Sequence, residues 1–256
     1  GIATGVGYTP YANAYLILLL PHSIVTISIV TALLPRLSSF VIDKKIDELK
    51  SALATALRYV GIITVPASIF FLLFGERVAE AIFFGITEES AIYIGRLLSA
   101  MALGLIPLSI NLVFIRGLNA FENTKYQVIS NLVINVVAVT LSLIAYSNME
   151  ARSVTVGLAL AFTASYWCGI VVTYFLLRKY TGALALGALL FFYLKVILAS
   201  TISVLLVAYA AQELGLKGNI VDLIGVLAIT SLLYLIVARA MKIEEVGQTI
   251  KVLLRR

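Results

Sequence analysis

The chain has 256 residues, of which 61% are hydrophobic and only 12% charged, and its formal net charge is +6. Water-soluble domains carry about 25% charged residues, so this composition excludes a soluble globular fold. It also leaves no soluble face on which basic residues could cluster to read nucleic acid. With a mean hydropathy of +1.05, the chain reads as an integral membrane protein.

A bilayer core about 30 Å thick needs roughly 20 apolar residues of helix to cross it. The apolar runs predict an all-α bundle of seven crossings at 12–34, 53–74, 92–115, 127–147, 154–177, 190–211 and 219–240. Before the first, residues 1–11 read as a polar, glycine-rich extracytoplasmic loop, and the expectation is a C-terminal piece of a longer protein. Crossings one, two and three contain Pro21, Pro66 and Pro107. Each proline removes a backbone donor, so three kinks are expected, bending the bundle around an internal space.

Between crossings one and two, Ile42, Ile46, Leu49 and Leu53 form a helical stripe across the charged run Asp43–Lys50. This predicts a surface helix that runs into crossing two. After crossing seven, Ile243, Val246, Ile250, Leu253 and Leu254 alternate with Lys251, Arg255 and Arg256. Residues 243–256 therefore read as a cytoplasmic amphipathic tail lying in the interface.

Basic residues collect in cytoplasmic loops. Fifteen of the nineteen follow crossings one, three, five and seven, leaving Arg77, Arg96, Arg152 and Lys217 on the other side. The first crossing is thus expected to enter from outside, and the C-terminus to be cytoplasmic. The basic residues would meet anionic lipid headgroups there, at about 1 kcal/mol each.

Intramembrane polar groups are costly and are the places to seek function. Asn131 and Asn135, spaced i, i+4, put two amides on one face of crossing four. They suit either a ligand or a second helix. Arg58, a turn into crossing two, either snorkels to the interface or grips a phosphate in a cavity. Arg116 begins an inner polar cluster with Asn119, Glu122, Asn123 and Lys125. The single histidine, His22, follows Pro21 and reads as buried and neutral. Cys168 is the one cysteine, so no disulfide can form within the chain. No phosphate-cradling glycine loop, metal-ligand spacing or nucleophilic triad is present, and the acidic residues sit at span edges. A transporter is expected, not an enzyme.

The stretch Tyr11–Ser39 resembles the eighth helix of bacterial lipid II flippases of the MurJ/MviN type, with a mid-helix proline and then Thr31–Ser38, TALLPRLS. Arg116–Lys125, RGLNAFENTK, is similar to their inner loop after the tenth helix, and Gly157–Ser165, GLALAFTAS, to the start of their twelfth. The resemblance implies the eighth to fourteenth of fourteen helices, within the multidrug/oligosaccharidyl-lipid/polysaccharide exporter superfamily. It implies a transport lobe at 12–180 and, at 181–242, two further helices forming a lipid-tail groove. The implied activity is movement of lipid II from inner to outer leaflet by alternating access, with an N-terminal lobe of the same protein as partner. Candidate substrate contacts are Arg58, Asn13, Arg116 and Asn111. The residues matching a family cation site are Asn131, Asn135 and Thr163; no cofactor is implied beyond Na⁺ or the membrane potential as driving force. The chain departs from some members in having no charge in Ala14–Leu20, where Asn13 is the nearest polar residue upstream.

Two alternatives compete. One is a flippase or exporter of another polyprenyl-linked oligosaccharide, or a cation-coupled drug exporter of the same superfamily. The other is a seven-helix receptor or retinal pump of the same topology, and a retinal pump needs a lysine midway along its last helix. Residues 219–240 contain none.

Overall fold

In hydrocarbon every backbone N–H and C=O must be satisfied within the protein, and a helix does this inside its own segment. The computed structural model describes residues 7–83, 85–213 and 220–247, and every regular element among them is helical. Six helices are long and apolar enough to cross a bilayer, or seven when one bent pair counts as a single span.

Helix α1 (Tyr8–Pro21) continues through a π-helical turn (His22–Thr26) into α2 (Ile27–Ile42), giving one crossing of 35 residues. Pro21 cannot donate to the preceding turn, and a π-turn is a common way to absorb such a break. Helix α3 (Ile46–Ile82) is 37 residues long and includes the predicted surface stripe from Ile46 onward. Surface helix and second crossing are therefore one element. Lys44 between α2 and α3 is left-handed, with φ 58°, which closes α2 and reverses the chain.

The third crossing departs from expectation. It consists of α4 (Glu88–Ala102) and α5 (Leu105–Asn119), bent by 44° at residues 103–104. Pro107 lies in the first turn of α5, where its N–H would have no helical partner anyway. The bend, not the proline, is what the neighbours stabilise. Ser68 Oγ donates to the carbonyl of Ala102 at 2.7 Å, and Thr163 Oγ1 donates to that of Ala100 at 2.8 Å. A side chain at Gly104 would stand 2.8 Å from the Phe162 ring and 2.9 Å from Thr163 Oγ1, so glycine is what lets the two helices meet.

Helices α6 (Thr124–Asn148) and α7 (Ala151–Thr181) form an antiparallel pair. Ile134 fills the space over Gly169, and Ala145 that over Gly157. Small residues at the contact are how membrane helices gain close packing. Two clusters of buried apolar side chains hold the bundle. One gathers Leu18, Leu97, Leu98, Met101 and Leu105, and the other gathers Val30, Leu53, Val113, Leu118 and Leu177.

Helices α8 (Leu186–Glu213) and α9 (Ile220–Ala240) pack on each other and on α3. Gly61 of α3 leaves room for Tyr193 of α8, whose hydroxyl donates to the carbonyl of Leu57 at 2.9 Å. Beyond α9 the chain turns at Lys242 (φ 56°) and folds back onto the bundle. Ile243, Glu245 and Val246 are buried and Glu244 is exposed, so the start of the segment read as an interfacial tail packs one face on the bundle. The remainder of that tail, residues 248–256, lies outside the described residues, as do Lys217 and residues 1–6 of the initial loop.

Candidate functional site

A groove of about 540 Å³ runs along α3 between α1 and α9. Its walls include Ile17, Leu20 and Pro21 from α1, Ile62, Pro66 and Phe70 from α3, and Leu223, Leu227 and Tyr234 from α9. Val246, in the segment folded back after α9, also lines the groove. The walls are almost wholly apolar, and the one buried hydroxyl without a hydrogen-bond partner among them is Thr230 Oγ1.

This position differs from that of the tail groove the resemblance implied. The resemblance placed a groove between crossings six and seven, whereas this one is framed by crossing seven with crossings one and two. Gly225 and Ala228, on α9, are absent from its walls, and α8 contributes none of them.

Arg58 meets a partner from the far end of the chain. Its Nη1 donates to Glu245 Oε1 at 2.8 Å, and its guanidinium lies 5.6 Å from the centre of the Phe192 ring. The side chains are 36% and 11% exposed, so the pair is largely withdrawn from solvent. Burial makes a partner necessary, because an uncompensated charge in such a place costs several kcal/mol. Arg58 thus pins the returning chain to α3, and its charge is already matched.

Asn111 is also committed to the core. Its Oδ1 accepts from Thr173 Oγ1 at 2.6 Å, and Thr173 Oγ1 lies 2.5 Å from Ser130 Oγ. These three buried groups join α5, α7 and α6, so Asn111 belongs to a network between helices. Nearby on α5, Ser109 bonds His22 Nδ1 of the π-turn at 2.9 Å, and both side chains are buried.

Asn13 lies partly exposed on α1 with no hydrogen bond among the described residues. Arg116 stands in the last turn of α5. Its Nε is buried without a partner, as are Asn119 Oδ1 and Asn123 Oδ1, while Asn123 Nδ2 donates to Tyr180 at 2.7 Å. Arg116, Asn119 and Asn123 therefore keep unmet hydrogen-bonding capacity.

The cation candidates are not brought together. Asn131 and Asn135 are exposed on α6. The pairing of Ser130 with Thr173 and of Ile134 with Gly169 fixes the α6–α7 register. It sets Thr163 level with residue 140, about 8 Å along the axis from Asn135 and about 13 Å from Asn131. Thr163 instead serves the bend at residues 103–104.

A second, more polar cleft of about 450 Å³ opens between α2 and α3, where Arg36, Glu48, Ser51 and Thr55 meet Tyr59. Arg36 is exposed there, stacked 5.4 Å from the Phe40 ring. Its place inside TALLPRLS was the signal, but in the sequence it counted only as a topology charge. Glu245 and Tyr234 carried no such signal, because their partners lie 187 and 172 residues away.

The fold matches a solved structure described as "Lipid II flippase MurJ, inward closed conformation", with a TM-score of 0.73 at 20% identity. The match covers 91% of this chain and 46% of that one, so the chain spans about half the length of the solved protein. A family model described as "Lipid II flippase MurJ" matches residues 2–243, which is nearly the whole chain. The helical bundle, its membrane-spanning lengths and that family match agree: the chain belongs to the MurJ family of lipid II flippases.

Proposed function

We propose that this chain, working with an N-terminal lobe, moves lipid II from the inner to the outer leaflet by alternating access. The observation that carries this reading is the apolar groove between α1, α3 and α9. A pyrophosphate cannot cross hydrocarbon unshielded, whereas a polyprenyl chain has no reason to leave it. A transporter therefore needs a polar path for the head and an apolar track beside it for the tail. The groove supplies the track, and the α2–α3 cleft with Arg36 supplies a cationic wall for the path.

The protein resides in this proposal in the bacterial cell membrane with its C-terminus cytoplasmic, on the strength of the skewed basic residues. The membrane potential then favours outward movement of an anion by about 2.3 kcal/mol per charge per 100 mV. It is the proposed driving force; the scattered cation candidates give less support to Na⁺ coupling. The protein acts as a transporter and needs no cofactor for bond-making chemistry.

The test is transport of lipid II by the full-length protein in sealed vesicles. Ala67→Phe and Ser231→Phe, which fill the groove from opposite walls, are expected to slow transport about tenfold, the effect of some 1.4 kcal/mol. Normal rates in both folded variants would overturn the role of the groove. Transport of another polyprenyl-linked glycan in preference to lipid II would overturn the cargo.

A further inference from the structure

We infer that the cleft beside the α3–α4 crossing binds a phospholipid headgroup carrying both a phosphodiester and a primary ammonium. The cleft measures about 540 Å³, within the range of ligand pockets. Glu76, Arg96 and Ser153 bring it polar groups, and the exposed Leu72 and Leu73 give it an apolar side. A charged side joined to an apolar side is the shape of a lipid.

The crossing itself explains why the charges face outward. A side chain at Gly75 would stand 2.7 Å from the carbonyl oxygen of Gly95, and one at Gly95 would strike the backbone of Glu76. The two backbones are in contact, so Glu76 and Arg96 leave the crossing on its exposed surface. No ion pair joins them to each other or to another residue among the described residues. The neighbouring charges do pair: Arg152 Nη2 lies 3.3 Å from Glu89 Oε1, and the carbonyl of Arg152 accepts from Tyr93 at 3.2 Å.

Depth makes this arrangement costly when empty. Arg96 lies seven residues along α4 from Glu89, about 10 Å at 1.5 Å per residue. If Glu89 and Arg152 mark the water interface, Arg96 and Glu76 sit where headgroups meet hydrocarbon. Two unpaired charges of opposite sign at that depth need counter-charges of both signs. A phosphodiester complements the guanidinium, and an ammonium complements the carboxylate. A primary ammonium donates hydrogen bonds to Glu76, which a quaternary one cannot do, and an anionic headgroup would meet Glu76 with the wrong sign. In the orientation proposed above the lipid belongs to the outer leaflet; the headgroup chemistry does not depend on that orientation or on the cargo.

The test is native mass spectrometry of the delipidated full-length protein, titrated with phosphatidylethanolamine, phosphatidylcholine and phosphatidylglycerol of identical acyl chains. Phosphatidylethanolamine is expected to bind about fivefold more tightly than either of the others, the ratio that about 1 kcal/mol supplies. Arg96→Gln and Glu76→Gln are each expected to remove that preference, and Arg96→Lys to keep it, with circular dichroism unchanged because both side chains are exposed. Equal binding of the ethanolamine and choline lipids to the unaltered protein would overturn the proposal. So would loss in Arg96→Gln with none in Glu76→Gln, which would describe an anion site only. Retained preference in both neutral variants would place the lipid elsewhere.

Discussion

The hydroxyl of Tyr234 on α9 donates to the carbonyl of Ile62 on α3 at 3.0 Å. Ile62 is four residues before Pro66, so this is the carbonyl that proline deprives of its helical donor. α3 runs on through Pro66 as one helix because another helix supplies the missing hydrogen bond. The same phenol stands in the wall of the apolar groove.

Tyr234→Phe should therefore destabilise the bundle by about 0.6 to 1.7 kcal/mol, the span measured for bonds between membrane helices. Pro66→Ala restores the helical donor, so Tyr234→Phe in that background should cost almost nothing. Thermal unfolding of the four proteins in detergent closes the cycle, and equal costs in both backgrounds would refute the pairing.

The pair Arg58–Glu245 should fasten the segment after α9. Glu245→Gln leaves the guanidinium without its counter-ion, at a cost of about 1 to 3 kcal/mol because Arg58 remains one-third exposed. Faster proteolytic cleavage near Gly247 is the expected readout, with partial recovery when Arg58 and Glu245 are exchanged. Unchanged protection would mean that Ile243 and Val246 hold the segment alone.

Thr173→Val should loosen α5, α6 and α7 together, since its hydroxyl contacts both Asn111 and Ser130. A loss of about 1 kcal/mol is expected. Asn111→Leu added to it should cost less than on its own, because both changes dissolve one network. Strict additivity in denaturation would sink this account.

Arg36→Gln should slow lipid II transport about tenfold, the effect of losing one charge-assisted hydrogen bond to phosphate. Arg58→Lys should leave transport near normal, since a lysine can still meet Glu245. The reverse ranking in a vesicle assay would return the phosphate contact to Arg58.

Much of the architecture was legible beforehand for a simple reason. A bilayer imposes length and apolarity on every crossing, and those properties survive in the linear order of residues 12–34 through 219–240. The motif Thr31–Ser38 was equally readable, being contiguous. The break at residues 103–104 was not, because the hydrogen bonds that stabilise the bend come from Ser68 and Thr163 on other helices. Asn111 and Arg58 were recognised as unusual, but the partners they meet in the fold, Thr173 and Glu245, were not legible. A polar group in hydrocarbon announces that it needs a partner, and the residue sequence alone carries that announcement. Which partner it meets depends on how helices dozens of residues apart come to lie together, and packing alone determined that.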